Sequence, residues 1–216
     1  INAMVYIRGN RLDYDDWASE GNAGWSWEDV KPYFMKAEHN EQYQNDGHHG
    51  TGGPLNVTFP NAVSPLTDEF VAAAESLQYK HNPDFNGETQ DGVGLHQATQ
   101  KNGRRWSTAM AYIRPAAKRR NMTVMTNAPV ARITVADGRA TGVEIIGGRK
   151  LTASREVILS AGGIVSPKIL MLSGIGAADE LKAHGIEVVH DLPGVGKNHQ
   201  DHAAIITAMR TKSTIP

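Results

Sequence analysis

The densest cluster of polar side chains in the sequence is the run NHQDH at residues 198–202. Histidine and aspartate are metal ligands, but a metal site needs them on one face, and this run lacks HExxH-type spacing. We therefore interpret it as a polar turn. The pair His48-His49 is ambiguous in the same way, because Gly50 and Gly52-Gly53 follow it, and a surface turn is favoured over a ligand pair. The sequence predicts no metal site.

Other catalytic chemistries lack their sequence signatures. There is no G-x-S-x-G elbow for a Ser-His-Asp hydrolase and no Walker phosphate loop. The glycines of DGVGLHQ and PGVGKNH do not have the G-x-G-x-x-G spacing of a dinucleotide-binding turn. An aromatic group could face a substrate, although packing of one amphipathic helix is the favoured account. That group consists of Trp25, Trp27, Tyr33 and Phe34.

A glycine-lined strand end is the best candidate for a ligand site. Residues 156–161, EVILSA, show no polar alternation, which predicts a strand buried on both faces of a parallel sheet. Gly162 and Gly163 follow it. Ligands of open α/β sheets lie beyond the carboxyl ends of strands, where small residues let a group approach the backbone. Core packing without a ligand is the favoured interpretation when this stretch is taken alone.

The helix after this strand end is predicted to be short and buried. Ser166 can cap it, Pro167 suits its first position, and residues 168–172 are mostly apolar. Gly174 can supply the left-handed residue that ends it. Such a helix would hold the strand end in place, with space beside it for a flat cofactor ring.

Turns dominate the first 100 residues, with short elements between them. The stretch from Ser26 to Asp29 has the pattern of a capping box, which predicts a helix toward His39, bent or restarted at Pro32. A second helix starts at Ser64-Pro65. Its apolar residues share one face, and they are Leu66, Phe70, Ala73, Ala74 and Leu77. The other elements predicted here are a strand at residues 53–59 and a helix capped by Ser107 and interrupted at Pro115.

The second half of the chain is rich in strand patterns. Asp137-Gly138 separates ARITVA from ATGVEII, which is a strong hairpin signal, and Gly147-Gly148 predicts the next turn. Together they predict an antiparallel meander that feeds the buried strand as a crossover on a nucleotide-binding sheet. We therefore predict a mixed α/β fold.

Composition and charge narrow the function classes. With 22 basic and 23 acidic residues the net charge is −1, which gives no footprint for nucleic acid, and Lys118–Arg120 is interpreted as a solvated helix end. No apolar window is long enough to span a bilayer. Cysteine is absent, which excludes disulfides and favours a reducing compartment such as the cytoplasm. The chain begins at Ile1 inside a structured pattern, so we expect a piece of a longer protein.

Several stretches, in order along the chain, resemble the glucose-methanol-choline (GMC) flavoprotein oxidoreductases. SAGGIVSPKILMLSGIG resembles the second signature of that family, except that Gly163 stands where a small non-glycine residue is usual. INAMVYIRGNRLDYDDW resembles the tail of the first signature. DFNGETQDGVGLHQATQKNGRRWSTAMAYIRPA and LPGVGKNHQDH also match, although His199 replaces the usual leucine. The similarity runs from Ile1 to about His202.

The resemblance implies a cofactor and its contacts. Members bind FAD and oxidise alcohols by hydride transfer to flavin N5, usually with a histidine base. Asn2 and Ala3 match the segment beside the isoalloxazine ring, Val130 matches the valine whose backbone holds the adenine, and Ala161 and Gly162 match the strand end near the adenosine. Because Ile1 stands where some members carry a flavin-linked histidine, we expect non-covalent FAD.

The resemblance also implies what these residues lack. The dinucleotide fingerprint lies before Ile1 in the family and the catalytic histidine lies far downstream, so no catalytic residue is predicted here, and these residues alone are expected to be inactive. The implied domains are a cap and substrate-domain portion with the flavin-contacting segment (1–100), an FAD-domain portion (101–202) and the start of a substrate domain (203–216). The resemblance leaves the electron acceptor and the oligomeric state open.

Alternatives to an alcohol oxidoreductase stay open at this stage. One is a non-catalytic folded module without a cofactor, and another is a lyase relative that keeps FAD without redox turnover. Among substrates, choline is disfavoured, because AAIITAMRTKS after the NHQDH run has no carboxylate for a quaternary ammonium. Arg210 falls where choline-oxidising members place an acidic residue. A neutral primary alcohol is therefore the expected substrate.

Overall fold

A computed structural model describes residues 3–44, 46–201 and 203–207 of the chain. The chain divides into two compact units, Ile1–Val124 and Met125–Pro216. The division falls at residue 124 rather than at 100, and the assignment of functional domains stays a prediction. Across the described ranges, none of the helices combines the length and the apolarity that crossing a bilayer demands.

The first unit alternates helices with very short strands. Its helices are α1 (Arg11–Ser19), α2 (Trp27–Ala37), α3 (Leu66–Ser76), a π-helical turn (Ala109–Ile113) and α4 (Arg114–Ala116). Its strands are β1 (Glu38–Asn40), β2 (Leu55–Val57), β3 (Gln100–Lys101) and β4 (Arg104–Arg105). β1 pairs with β2 in parallel, and β3 pairs with β4 antiparallel.

The predicted capping box at the start of α2 is confirmed. The Ser26 hydroxyl accepts a hydrogen bond from the Asp29 N–H, and the Asp29 carboxylate accepts one from the Ser26 N–H. The helix runs through Pro32 but ends at Ala37, two residues before the predicted end at His39. Glu38 has extended backbone angles and starts β1, because the chain pairs there with β2 instead of closing another helical turn.

The other two predicted helices form with differences. α3 begins at Leu66, whose N–H donates to the Ser64 hydroxyl over 3.3 Å, but its apolar face is exposed, with Leu77 72% accessible. The prediction for the third helix is wrong in two details, its cap and its interruption. Ser107 takes part through its carbonyl, which accepts the Ala111 N–H at 2.9 Å, and Pro115 does not interrupt the helix. Proline is tolerated in a first turn, and Pro115 occupies the first turn of α4.

The second unit contains the predicted meander. Its elements are β5 (Val130–Ala136), β6 (Arg139–Ile145), β7 (Lys150–Thr152), α5 (Val165–Leu172), β8 (Ile175–Gly176), α6 (Ala178–Ala183) and β9 (His190–Asp191). β5, β6 and β7 form one antiparallel sheet, and β8 pairs with β9 in parallel. Asp137 and Gly138 both have positive φ, as the tight turn between β5 and β6 requires.

Helix α5 packs on strand β5 through one buried serine. The Ser173 hydroxyl accepts the Ile133 N–H at 2.8 Å and donates to the Ile169 carbonyl at 2.6 Å. Ile133 and Ile169, its two hydrogen-bond partners, are themselves buried. Gly174 ends the helix with φ +80°, and a side chain there would meet the Glu187 carbonyl oxygen at 2.4 Å. The predicted left-handed stop is therefore confirmed.

The predicted strand at residues 156–161 is wrong for the described chain. These residues form no strand, and Ile158 is 78% exposed. A strand exists only where a neighbour supplies hydrogen bonds, and no described strand pairs with this stretch. The cap of α5 also differs, because the helix begins at Val165 and the Ser166 hydroxyl accepts from the Ala161 N–H instead of capping it.

Candidate cofactor site

The five predicted cofactor residues fall in both units. Asn2 lies outside the described residues, and Ala3 is an exposed residue at the start of the first unit. Val130, Ala161 and Gly162 belong to the second unit, Val130 at the start of β5 and Ala161 and Gly162 in the loop that precedes α5. Their contacts with a cofactor stay predictions, and their surroundings are as follows.

The small-residue edge at residues 161–163 is open. All three residues are exposed, and no described atom comes within 4 Å of a Cβ added to Gly162 or Gly163. The edge is nevertheless held in shape. The Ala161 N–H donates to the Ser166 hydroxyl at 3.0 Å, and the Ser166 N–H donates to the Gly162 carbonyl at 3.0 Å. An edge that is fixed but uncovered fits a flat group laid against its backbone.

Val130 begins strand β5, on which α5 packs. It pairs with Ile145 across the sheet and is half-buried. Because α5 follows the Gly162-Gly163 edge directly, the strand that starts at Val130 and the open edge are parts of one strand-helix unit.

A groove of about 840 Å³ lies along α5, next to Gly163. Ligand pockets span about 300–1,000 Å³ and combine apolar walls with a few polar groups. The groove has that character, since its apolar lining is accompanied by two lysines and two histidines. The apolar lining residues are Ile164, Pro167, Met171, Leu172 and Ile186, and the basic ones are Lys168, Lys197, His184 and His199. Lys197 is ion-paired with Glu180.

In the first unit, the segment that follows Ala3 is held by amide side chains. The Arg8 N–H donates to Asn86 Oδ1 at 2.7 Å, and Asn86 Nδ2 donates to the Tyr6 carbonyl at 2.9 Å. Gln90 Nε2 donates to the Arg8 carbonyl at 2.8 Å. The segment belongs to none of the named strands, so these side chains satisfy backbone groups that a sheet would otherwise pair.

A buried chain of charges anchors the end of this segment. Arg8 forms an ion pair with Glu38, and both side chains are almost fully buried. Glu38 Oε1 lies 3.1 Å from His49 Nδ1, and His49 Nε2 lies 2.9 Å from Asp84 Oδ2. We call Arg8, Glu38, His49 and Asp84 the ion chain. Two cations and two anions alternate along it, so each charge has an opposite neighbour.

The ion chain shifts the titration of its members. Burial alone would lower the pKa of His49, but its hydrogen bonds to Asp84 and Glu38 outweigh burial and raise that pKa to about 9. Burial would raise the pKa of Glu38, but hydrogen bonds from His49 and Asn40 and the charge of Arg8 hold it below its ordinary value. Burial would also raise the pKa of Asp84, but the hydrogen bond from His49 lowers it. All four groups are therefore charged near neutral pH.

The surface-turn prediction for His48-His49 is wrong for His49, which is 2% exposed. His49 is buried because two glycines, Gly50 and Gly53, allow its loop to pass close to the backbone at the end of α2. A Cβ on Gly50 would lie 1.8 Å from the Met35 carbonyl oxygen, and one on Gly53 would lie 2.4 Å from the Glu38 carbonyl oxygen. Only glycine lets this loop cross the end of α2 so closely. The spacing of these glycines after the histidine pair is the sequence signal that could have indicated burial.

A possible cation position lies where Asp46 approaches His49 and Asp84 of the ion chain. One ligand atom from each of Asp46, His49 and Asp84 lies within 4.8 Å of the others. His49, however, reaches Glu38 through Nδ1 and Asp84 through Nε2. With both ring nitrogens protonated, it has no lone pair for a metal. The geometry is that of a salt-bridged histidine.

A second cavity, of about 550 Å³, adjoins the segment that follows Ala3. Val5 and Tyr6 form one side of it, and Trp106, Ser107 and Thr108 lead from it into the π-helical turn. π-Helical turns are frequent at functional sites. Burial raises the pKa of Tyr6, so its hydroxyl is available as a hydrogen-bond donor at neutral pH.

Solved structures show the same fold. An FAD-dependent oxidoreductase from Chaetomium thermophilum matches with a TM-score of 0.83 and 32% identity, covering 90% of this chain and 36% of that one. Pyridoxine 4-oxidase from Mesorbium loti matches with a TM-score of 0.81 and 32% identity, covering 89% of this chain and 38% of that one. The fold is therefore the one found in these flavoenzymes.

Sequence relatives agree with the structures. The chain is 44% identical to alcohol dehydrogenase [acceptor] from Pseudomonas putida, over 100% of this chain and 40% of the relative. It is 48% identical to oxygen-dependent choline dehydrogenase from Brucella anthropi, over 95% of this chain and 38% of the relative. The chain thus spans about 40% of the length of these relatives. The GMC oxidoreductase family profile matches residues 1–204, and the chain belongs to that family.

Proposed function

We propose that these residues are part of an FAD-dependent oxidoreductase that oxidises an alcohol to an aldehyde by hydride transfer to flavin N5. The observation that carries the proposal is the open edge at Ala161–Gly163, in a chain whose sequence and fold match flavoenzymes of this family. Relatives named as alcohol and choline dehydrogenases support the reaction class.

The proposed roles of the residues follow the resemblance to the family. The edge of Ala161 and Gly162 receives the adenosine half of FAD, and the backbone at Val130 contacts the adenine. Asn2 and Ala3 lie along the isoalloxazine ring. When bound, FAD supplies the hydride acceptor. The ion chain holds the segment after Ala3, and no residue of this chain is assigned as the catalytic base, which we place outside these 216 residues.

The proposed substrate is a neutral primary alcohol. A quaternary ammonium is recognised by an aromatic cage or a carboxylate, and the run from Ala203 to Ser213 contains neither. Arg210, which would oppose a cationic substrate, lies outside the described residues. We place the protein in the cytoplasm, because a chain of this length without cysteine suits a reducing compartment.

The full-length protein that carries these residues tests the proposal. It should purify yellow, and a primary alcohol should bleach the flavin under anaerobic conditions. A colourless protein that takes up no FAD on reconstitution would overturn the proposal. A yellow protein that no alcohol reduces would favour the lyase relative. The isolated 216-residue chain should bind FAD weakly, because a pyrophosphate-binding turn is absent from it.

A pair of leucine substitutions tests the site itself. Ala161→Leu should weaken FAD binding by tenfold or more, because the side chain would occupy the edge that the adenosine approaches. Ala183→Leu, at an exposed position of α6 in the same unit, is the matched control and should leave FAD affinity unchanged. Fluorescence titration of the apoprotein measures both. If both variants bind FAD with the same affinity, the adenosine does not bind at this edge.

A further inference from the structure

Met4 has a backbone conformation that its residue type does not favour. Its φ is +68°, in the left-handed region. Every other non-glycine residue with positive φ in the described chain carries an amide or carboxylate side chain, and these are Gln78, Asn102, Asn127, Asp137 and Asn198. Short polar side chains hydrogen-bond locally in this conformation, but methionine cannot. The surroundings of Met4 must therefore impose it.

Strand-like contacts hold the chain on the C-terminal side of Met4. The Met4 carbonyl accepts the Thr99 N–H at 2.8 Å, and the Tyr6 N–H donates to the Gln97 carbonyl at 2.9 Å. Ala98, between these two partners, is itself fixed. It exchanges two hydrogen bonds with Thr58, of 2.8 and 3.0 Å, on its other side. The register of Met4 against residues 97–99 is thus set from both sides.

The segment cannot relieve the strain by sliding, because its other end is also fixed. Arg8 lies in the ion chain, and its backbone is bonded to Asn86 and Gln90. With both ends held, the left-handed residue turns the chain out of the extended path of Val5 and Tyr6. Ala3, on the far side of the turn, is exposed.

We infer that Met4 is a positioning residue whose left-handed backbone, held through Thr99, sets the direction in which Ala3 meets the flavin ring. This role rests on the proposed function. The strain is retained because an extended residue at this position would carry Ala3 elsewhere. We assign this role to the backbone of Met4.

Substitutions at Met4 separate a role of its backbone from a role of its side chain. Asparagine tolerates the left-handed region, whereas β-branched valine does not, although valine is apolar like methionine. In the full-length holoenzyme, Met4→Asn should keep the rate constant of flavin reduction by alcohol within threefold of wild type. Met4→Val should lower it tenfold or more and shift the flavin absorption maximum. Anaerobic stopped-flow spectroscopy measures both effects.

Gln78→Val provides the matched control, since Gln78 has the same φ of +68° at the end of α3. It should lower the thermal midpoint as Met4→Val does, without slowing flavin reduction. If Met4→Val does not fold, Met4→Ala replaces it, with a threefold or larger loss expected. If the valine or alanine variant reduces its flavin at the wild-type rate, the inference about Met4 is wrong. The same holds if Met4→Asn is as slow as Met4→Val. Neither outcome affects the proposed function. A wild-type protein without alcohol-reducible FAD overturns the proposed function as well.

Discussion

The two units differ in what fills their centres. Nearly all of the buried polar residues lie in the first unit, and they are Arg8, Glu38, Asn40, His49, Asn56, Thr58, Asn82, Asn86 and Gln97. In the second unit the buried residues are aliphatic, with Ser173 as the polar member of the described set, and they include Ile133, Ile145, Ile169 and Leu181. Every phenylalanine, tyrosine and tryptophan of the sequence belongs to the first unit.

The difference follows from what each unit holds. The second unit packs regular strands and a helix, whose backbones bond to themselves, so aliphatic side chains suffice. The first unit holds an irregular segment after Ala3, whose backbone groups need specific partners. Hydrogen bonds and ion pairs are directional, so they fix a segment that hydrophobic contacts would leave free to slide. The stability of the first unit should therefore be most sensitive to loss of a buried charge. The stability of the second should be most sensitive to loss of side-chain volume in its core.

The largest effect should come from breaking the ion chain. Glu38→Gln keeps the shape of the side chain but leaves the Arg8 and His49 charges uncompensated in a buried site. The free energy of unfolding of the first unit should fall by about 4 kcal/mol. In the 216-residue chain, urea unfolding followed by tryptophan fluorescence reports on this unit, because all four tryptophans of these residues belong to it.

A surface pair gives the control for that variant. Glu144 is paired with Arg132, which is 53% exposed, so Glu144→Gln should cost less than about 1 kcal/mol. A loss as small as this for Glu38→Gln would show that the ion chain contributes little to stability, and the contrast between the units would rest on geometry alone.

The next effect should come from a cavity in the second unit. Ile169→Ala removes a buried side chain between α5 and β5 and should lower the free energy of unfolding of this unit by about 3 kcal/mol. Ile158→Ala, at an exposed position, should change it by less than about 0.5 kcal/mol. Circular dichroism follows both. Equal costs would mean that residues 156–161 are packed in solution.

A smaller effect should appear as a pH dependence confined to the first unit. The pKa of His49 is raised from 6.5 to about 9 in the fold, so its proton stabilises the fold fully below pH 6.5. This contribution is lost as the pH rises through 9. Between pH 7 and 8.5 the stability should therefore fall by about 1 kcal/mol per pH unit.

The groups that face His49 do not reproduce this slope. They are Glu38, Asp84, Asp46 and the Tyr43 ring, and the carboxyl pKa values are lowered while that of Tyr43 is raised. His49→Gln should therefore abolish the slope and Ile169→Ala should leave it intact. A slope that persists in His49→Gln belongs to another group.

Local signals in the sequence predicted the elements that depend on local physics. The capping box at Ser26, the hairpin turn at Asp137-Gly138 and the helix stop at Gly174 all formed, because each depends on backbone preferences within a few residues. The motif order also indicated the family, which the relatives confirmed. The small residues at Ala161–Gly163 indicated an open edge, and the structure places it in the open.

Two predictions from local sequence patterns are wrong because the structure of these regions depends on contacts with distant residues. EVILSA has the composition of a buried strand, but a strand needs a hydrogen-bonding neighbour, and no described strand pairs with it. His49 lies among polar and glycine residues that read as a surface turn. It is buried because Glu38 and Asp84, 11 and 35 residues away, meet it from two sides.

The sequence by itself determined the family, the meander, the capping box at Ser26 and the glycine-lined edge, since these depend on residue types at short spacing. Only the tertiary structure decided that Arg8, Glu38, His49 and Asp84 form one buried chain and that Met4 is left-handed. A buried charge stabilises the fold only when an oppositely charged partner lies beside it, and a strained φ persists only where hydrogen bonds from distant residues hold it.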